Sequence, residues 1–472
     1  MAPNELTELS IVDAAGQIRQ RTVSPLELTR AYLDRIEKHD GACRCYLTVL
    51  RDEALAVAKT AEREIGQGHY RGPLHGIPIA LKDLIQTKGV RTTCGSPILK
   101  DWVPDSDARV TVRLREAGAI LLGKLNLHEF AFGPTGVNPH CGTPHNPWGT
   151  NRMPGGSSSG SGAGVAGFLC AGALGTDSGG SVRIPASLCG IVGLKPTYGR
   201  VSRAGVVPLA WSLDHIGPMT RTVADAALML HVLAGPDPAD PTAVPVAVPD
   251  YRAALAEGPR GLRIGVVRNV FFERLDPDVR AAVEAAIEAM QRLGVSVREV
   301  QLNTLSHAGP AVFAIISAEA MAYHAPTLKT RAAEYGEDVR VRLLAGQFVL
   351  ATQYLDSQRA RQVVRAEFDA ALRDCDALVM PTTPIAAPLN SDRTQEVEGA
   401  SEDVRAWLTR CTRPINLTGH PGLSIPCGLT RAGLPVGLQL VGRYFDEATL
   451  LRLGAAYEGV SPMKGKRPTH AA

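Results

Sequence analysis

The sequence carries almost no excess of charge of either sign. Its 50 Lys and Arg residues against 47 Asp and Glu residues leave a formal net charge of +3, which is too small for electrostatic capture of nucleic acid to be the default function. Apolar residues make up 45% of the 472-residue chain and charged residues 21%, and these ordinary globular values disfavour intrinsic disorder and fibrous repeats. We therefore expect a folded protein whose partners do not include nucleic acid.

Cysteine is sparse. The chain has nine cysteines, an odd number, and they are scattered between Cys43 and Cys427. Small secreted domains pair an even number of closely spaced cysteines, so this pattern favours a reducing cytoplasm. The first ten residues lack the basic and apolar segments of a signal peptide, and no apolar run approaches the ~20 residues of a membrane span. The sequence predicts an unprocessed cytoplasmic protein that makes no membrane contact.

Helical signals dominate the first part of the chain. Ser24, Pro25 and Glu27 stand as a capping serine, a proline at the first helical position and a glutamate three residues after the cap, a combination typical of a helix start. A second helical stretch spans residues 53–65. We therefore predict that residues 1–65 form an all-helical layer packed on the core.

Strand and helix signals alternate after that layer. Short apolar runs bounded by turn residues predict buried strands at 77–81, 119–122, 263–267, 377–380 and 437–441. Residues 66–472 are accordingly expected to form one compact α/β core. Helical patterning over about 307–374 predicts a helical insertion within that core.

No metal or cofactor motif agrees with its context. His128-Glu129 lacks a second histidine at helical spacing, and no Cys/His pair has zinc spacing. Residues 118–124 resemble a phosphate-binding loop, but Leu125 stands where Ser or Thr is required. Residues 156–160 fit the G-x-S-x-G elbow of α/β-hydrolases, yet no apolar strand precedes them. We expect neither a metal nor a cofactor.

Glycine and serine dominate the stretch over 153–199. A flexible linker is a common reason for such composition, but residues 163–174 are too apolar for a linker. Glycine permits positive φ and close backbone approach, so a loop of this kind can direct several N–H groups at one point. An oxyanion hole needs that geometry, and this stretch is a candidate for one.

Four separated blocks, in order, resemble the amidase signature family. They are GIPIALKD at 76–83, GKLNLHEF at 123–130, PGGSS at 154–158 and GTDSGGSVRIPA at 175–186. Weaker likeness extends nearly to the C-terminus. The resemblance implies a single large α/β domain whose mixed central β-sheet is covered by helices on both faces. It also implies an amidohydrolase that acts on linear amides without a cofactor.

The resemblance assigns roles to residues of these blocks. Ser181 matches the acylated nucleophile, Ser157 the bridging serine on a cis peptide bond, and Lys82 the general base. The backbone amides of the implied oxyanion hole belong to Ser178, Gly179, Gly180 and Ser181. The supporting positions around these groups are Ser158, Asp177 and Arg183.

The chemistry of Lys82 agrees with the role of a base. A lysine can accept a proton only when neutral, and its free pKa of ~10.4 must fall by about 3 for that form to be common near neutral pH. The apolar run at 77–81 before Lys82 disfavours the charged ammonium. If this segment is extended, Asp83 points to the opposite face and should not pair with Lys82.

The sequence thus predicts an amidase that cleaves the C–N bond of a small-molecule carboxylic amide through an acyl-enzyme on Ser181. The alternative within the family is the glutaminase (A) subunit of the tRNA-dependent Asp/Glu amidotransferase, which passes ammonia to its partner. That branch typically has Gln where this chain has Ile184, a difference that favours a free-standing enzyme. A non-catalytic binding member of the family is disfavoured because Lys82, Ser157 and Ser181 are intact. A homodimer is left open.

The substrate pocket is the least determined part of the sequence. The family's acyl pocket draws on the stretch after Met153 and on the helical insertion, where no motif fixes the chemistry. Arg365 is a candidate for contact with an acidic substrate, although the simpler interpretation of arginines 359, 361 and 365 is a solvated helical face. The candidate apolar wall residues are Phe130, Phe132, Trp211 and Phe313.

Overall fold

Strands alternate with helices along the computed structural model, which describes residues 3–468. Within those residues the strands are β1 (Tyr46–Val49), β2 (Pro78–Lys82), β3 (Ile120–Leu125), β4 (Gly172–Thr176), β5 (Val192–Lys195), β6 (Ile216–Thr220), β7 (Arg263–Val267), β8 (Ser296–Val300), β9 (Ala377–Pro381), β10 (Thr394–Val397), β11 (Ala400–Asp403), β12 (Gly422–Leu429) and β13 (Pro435–Val441). Each strand predicted from the sequence is present, with its bounds shifted by a few residues at most.

The helices connect and flank these strands. They are α1 (Pro3–Glu8), α2 (Ile11–Arg19), α3 (Pro25–Cys43), α4 (Arg51–Gly66), α5 (Arg109–Glu116), α6 (Ser159–Ala166), α7 (Arg183–Cys189), α8 (Val223–Leu233), α9 (Tyr251–Leu255), α10 (Pro277–Arg292), α11 (Ala308–Arg331), α12 (Glu337–Ala345), α13 (Ala351–Asp374), α14 (Val404–Thr409), α15 (Arg413–Thr418) and α16 (Glu447–Val460). The predicted helical insertion corresponds to α11, α12 and α13.

Eleven of the described strands form one mixed sheet in the order β1-β3-β2-β4-β6-β5-β12-β13-β9-β7-β8. The pairs β2 with β3, β2 with β4, β7 with β8 and β7 with β9 are parallel, and the other neighbours are antiparallel. Strands β10 and β11 form a separate hairpin. The fold is therefore a single α/β domain with a large mixed sheet flanked by helices, as predicted.

The middle of the sheet is covered on both sides of its strands. Every residue of β2, β4 and β13 is buried, which explains why these segments read as apolar or small-residue runs without alternation. Helices α7 and α10 both pack against β12 and β13. This buried centre holds the ends of β2 and β4 in fixed positions.

The N-terminal layer differs from the prediction in one respect. Helix α3 begins as expected, with the Ser24 hydroxyl accepting from the amides of Leu26 and Glu27 at 3.0 and 3.3 Å. However, residues 1–65 are not all-helical, because β1 pairs antiparallel with β3 at the edge of the main sheet. Its sequence, YLTV, combines aromatic and β-branched residues that suit a sheet edge. Strand β1 therefore ties this layer to the core.

One helical segment stands out by its hydropathy. Within residues 3–468, Leu305–Glu334 alone is long and apolar enough to cross a membrane by length and composition, and half of its most apolar window is buried inside the protein. Buried core helices meet the same two criteria, and α11 packs against α13 and α15. The absence of membrane contact remains a prediction.

Candidate active site

Lys82 lies at the point where two parallel strands end. It is the last residue of β2, and Thr176 is the last residue of the neighbouring β4. Because carboxyl ends of parallel strands meet at the same edge of a sheet, the two side chains converge. Lys82 Nζ is 2.7 Å from Ser157 Oγ and 2.8 Å from Thr176 Oγ1. The structure thus brings the predicted base and bridging serine into hydrogen-bond contact.

The surroundings of Lys82 favour its neutral form. The side chain is completely buried, and this burial lowers the pKa of Lys82 from 10.5 to about 7, against the opposing effect of the Asp177 and Asp214 carboxylates. The neighbouring Asp83 points away, as predicted, and lies 3.6 Å from the ammonium of Lys124 instead. Lys82 therefore has no carboxylate in direct contact, among the described residues, that would hold its proton.

Ser157 is fixed mainly through its backbone. The Gly156–Ser157 peptide bond is cis, and the Ser157 carbonyl accepts a hydrogen bond from the amide of His128 at 3.1 Å. The next residue, Ser158, binds the carboxyl end of β4, since its hydroxyl donates to the Thr176 carbonyl and accepts from the Thr176 amide, each at 3.2 Å. These contacts place the Ser157 hydroxyl beside Lys82.

The loop that carries Ser181 is organised around the buried carboxylate of Asp177. That carboxylate accepts from the amides of Gly180 and Val182 at 2.7 and 3.2 Å. It also accepts from Nε and Nη2 of Arg183, both at 3.0 Å, and from Asn416 at 2.9 Å. Burial alone would raise the pKa of Asp177, but the Arg183 guanidinium outweighs it and holds that pKa well below its usual value. Asp177 is therefore a permanent anion that shapes the loop.

The geometry of the loop corrects one member of the predicted oxyanion hole. The amide of Gly180 donates to Asp177 and is not free to stabilise an oxyanion. Within residues 3–468 the amides of Ser178, Gly179 and Ser181 have no such acceptor. Gly180 is required for a different reason, because its φ is +127° and a Cβ there would stand 2.2 Å from Thr412 Oγ1.

Several site residues were not predicted from the sequence. Thr176 contacts Lys82 directly, and Asp214 accepts a hydrogen bond from the Ser178 hydroxyl. Burial raises the pKa of Asp214. Behind the loop, Lys195 Nζ lies 3.1 Å from Nε2 of His215, and burial lowers the pKa of both groups. Only Thr176 had a usable signal, because it ends a strand directly before the nucleophile loop.

A cavity of about 340 Å³ opens in front of Ser181 and is lined by Gly179 as well. Of the four predicted wall residues, Phe132 and Phe313 line it. Trp211 lines an adjoining cavity of about 200 Å³ together with Thr176 and Ser178. Phe130 packs instead on the ring of His324, with centroids 4.5 Å apart.

The arginines of α13 do not form a uniformly solvated face. Arg359 is exposed, but Arg361 donates to the Ser212 carbonyl at 2.8 Å. Arg365 lies over the ring of Tyr444 at 4.0 Å, is 3.7 Å from Asp369, and is absent from the lining of the Ser181 cavity. The cavity is lined by other arginines, namely Arg342, Arg405 and Arg413.

The fold and the arrangement of these residues match the class of amidohydrolases that the sequence resembles, and comparison with known proteins shows the family. The family model for Amidase matches residues 27–451, so the chain belongs to the amidase signature family, whose members are amidohydrolases. Among curated relatives, the chain is 43% identical to the A subunit of the glutamyl-tRNA(Gln) amidotransferase of Roseiflexus sp. (strain RS-1), over 98% of each chain.

Solved structures resemble it over nearly the whole length. One belongs to a vestigial protein complex that reveals the evolutionary origins of an s-triazine catabolic enzyme; it is 34% identical with a TM-score of 0.93 and covers 96% of this chain and 98% of the other. The native peptide amidase from Stenotrophomonas maltophilia is 33% identical with a TM-score of 0.84 and covers 98% of both chains. Relatives thus include members of complexes and an enzyme described as a peptide amidase.

Proposed function

We propose that the chain hydrolyses a carboxylic amide through an acyl-enzyme on Ser181. Ser181 Oγ attacks the amide carbonyl, its proton passes to Ser157, and the Ser157 proton passes to Lys82. The C–N bond then breaks as the same relay returns a proton to the leaving ammonia or amine. Ser157 and Lys82 then activate a water molecule, which hydrolyses the acyl ester on Ser181 and releases the carboxylic acid.

The observation that carries this proposal is the contact between Lys82 and Ser157. A serine hydroxyl is a weak nucleophile until a nearby base accepts its proton, and a lysine whose pKa is about 7 is such a base at neutral pH. Thr176 orients the amine through its hydroxyl. The amides of Ser178, Gly179 and Ser181 are the donors that we assign to the oxyanion hole, and each is worth ~3 kcal/mol of transition-state stabilisation.

A second candidate, favoured by the curated relatives, is the glutaminase component of a tRNA-dependent amidotransferase. The Roseiflexus protein matches the chain over 98% of its length. This similarity over the whole chain outweighs the single-residue difference at Ile184 as an argument about function. In that role the same Ser181 chemistry releases ammonia from glutamine, and a partner protein consumes it. A protein partner then accompanies the small-molecule substrate.

One assay separates these candidates. The purified chain alone is supplied with aryl, alkyl and amino-acid amides, including glutamine, and released ammonia or amine is measured. Multiple-turnover hydrolysis of simple amides without a partner supports the free-standing enzyme. Hydrolysis confined to glutamine, and accelerated by partner proteins with misacylated tRNA, supports the second candidate. No release from any amide in either setting, with no acylation of Ser181, would contradict both.

A further inference from the structure

Positive charge is concentrated in the cavity in front of Ser181. Three arginines line it, Arg342, Arg405 and Arg413, together with Asp403. The remaining lining is largely apolar and includes Phe132, Phe313 and Ile316. A cavity of this size suits a small molecule, and its charges restrict which small molecules it accepts.

Two of the three arginines are already neutralised. Asp338 pairs with both Arg342 and Arg405, and Asp403 accepts from Arg405 at 2.8 and 3.0 Å. His128, 3.1 Å from Asp338, adds no lasting charge near neutral pH because burial lowers its pKa. Three cations therefore face two carboxylates, and the cluster retains one positive charge.

The unmatched charge belongs to Arg413. Within residues 3–468 its side chain has neither an ion pair nor a hydrogen bond, and burial lowers its pKa to about 10. It therefore remains a cation near neutral pH. Burial lowers the pKa of the neighbouring Arg342, and the charge of Arg413 lowers it further. A partly buried cation without a partner is unfavourable unless a ligand supplies the anion.

The position of Arg413 relates this charge to the reacting groups. Its neighbour Thr412 donates to the Gly179 carbonyl at 2.7 Å, and Arg413 Cγ lies 3.7 Å from where a Cβ on Gly179 would stand. Gly179 carries one of the amides that we assign to the oxyanion hole. Arg413 thus lies beside the nucleophile loop and lines the cavity in front of Ser181.

We propose that Arg413 binds a carboxylate of the substrate, so that the amide cleaved at Ser181 belongs to a short organic acid. The monoamide of a dicarboxylic acid is the simplest compound of this class, and its methylene chain would lie against Phe132 and Phe313. A guanidinium can bind a carboxylate through two parallel hydrogen bonds. This inference rests on the proposed function and names its substrate class.

The test compares two amides that differ mainly in charge. The monoamide of glutaric acid and the neutral pentanamide are each assayed with wild type and with Arg413→Met. We expect the ratio of kcat/KM values, anionic over neutral, to fall about 10- to 100-fold in the variant, since a hydrogen-bonded charge pair is lost. Arg413→Lys should keep part of the ratio, and Arg359→Met, an exposed arginine of α13, should keep all of it.

The role of Arg413 would be overturned if Arg413→Met left the ratio of the two kcat/KM values unchanged, whether or not both values fell. A measurement of glutarate binding distinguishes failure of the Arg413 proposal from failure of the proposed function. Glutarate is titrated calorimetrically into Ser181→Ala and into Ser181→Ala/Arg413→Met, with circular dichroism to check folding. Loss of glutarate binding only in the double variant supports the anion site even if no amide is hydrolysed, whereas equal binding in both rejects it even if amides are hydrolysed.

Discussion

Ser181 and Ser157 differ in what can reach them. Ser157 is completely buried against Lys82, whereas Ser181 keeps 9% of its surface exposed and lines the substrate cavity. A reagent that enters the cavity therefore meets Ser181 first. This difference in access supports the roles proposed above, with Ser181 as the nucleophile and Ser157 as the relay.

We predict that a serine-directed covalent inhibitor labels Ser181 and that Ser181→Ala abolishes turnover without unfolding the protein. Removing one hydroxyl at the cavity surface barely changes the packed volume, so the thermal transition should stay close to that of wild type. Peptide mass spectrometry of the adduct locates the label. An adduct on Ser157 or Ser158 in wild type would refute the assignment.

We predict that activity rises with pH through the titration of Lys82. Its pKa is about 7; below that value the ammonium cannot accept a proton, and above it the neutral amine can, so kcat/KM should increase as pH passes through about 7 and then level off. Lys82→Ala should lose nearly all turnover, and its remaining activity should no longer rise with pH near 7. Lys82→Arg should be at least as damaging, because a guanidinium stays protonated.

The measurement is kcat/KM against pH for wild type and both variants. Lys88→Ala, a change outside the site, serves as the control and should reproduce the wild-type profile. Near wild-type activity of Lys82→Ala with an unchanged profile would mean that another group is the base. His75 and His128 would then be the first residues to examine.

At the scale of elements, the nucleophile loop depends on one buried ion pair. Arg183, the first residue of α7, binds Asp177 and also donates to Gln439 and Asn416, both at 2.6 Å. It thereby connects the loop after β4 with β13 and α15. Neither Arg183 nor Asp177 reaches the substrate cavity, so their contribution to catalysis is the position of the loop amides.

We predict that Arg183→Met lowers the free energy of unfolding by about 3–5 kcal/mol, because it leaves the Asp177 carboxylate buried without its counter-ion. Urea denaturation followed by circular dichroism measures this change. Arg359→Met, which removes a solvent-exposed partner of Asp356, should change the free energy by under ~1 kcal/mol. Equal effects of the two variants would show that the buried pair does not support the loop.

Local signals in the sequence predicted five of the thirteen described strands, whereas the three catalytic candidates were assigned by the family resemblance and not by local signals. The continuous apolar run before Lys82 predicts β2, and the Ser24-Pro25 cap predicts the start of α3, since both depend only on neighbouring residues. Strand β1 was missed because four residues between two helices carry little periodicity. The order of the sheet was inaccessible, because it is set by contacts between segments that are not neighbours in the sequence, such as β5 and β12.

The same limit applies to the substrate cavity. Arg413 stands in a short helix with no motif, and its relation to Gly179 depends on the packing of α15 against the nucleophile loop. Arg365, the arginine that the sequence offered for an acidic substrate, is held by Tyr444 and Asp369 instead. The sequence therefore showed that arginines were present, but only the fold shows which of them line the cavity in front of Ser181.

At the scale of the whole molecule, the cysteines report on how the chain is packed. All nine are free. Seven are buried, and only Cys43 and Cys141 are partly accessible. Burial raises the pKa of the cysteine thiols, to about 12 for Cys170 and Cys411. Since the thiolate is the reactive form, the buried groups are protected both by sterics and by protonation.

We predict that iodoacetamide modifies at most Cys43 and Cys141 in the native protein and all nine cysteines after unfolding in urea. Intact-mass spectrometry counts the added groups, and peptide mapping locates them. A reducing agent should leave both the thermal transition and the activity unchanged, because no pair of cysteines is bridged in the described residues. Native modification of the fully buried Cys94 or Cys189 would contradict the packing, and a transition that falls on reduction would reveal a disulfide and argue against the predicted cytoplasmic location.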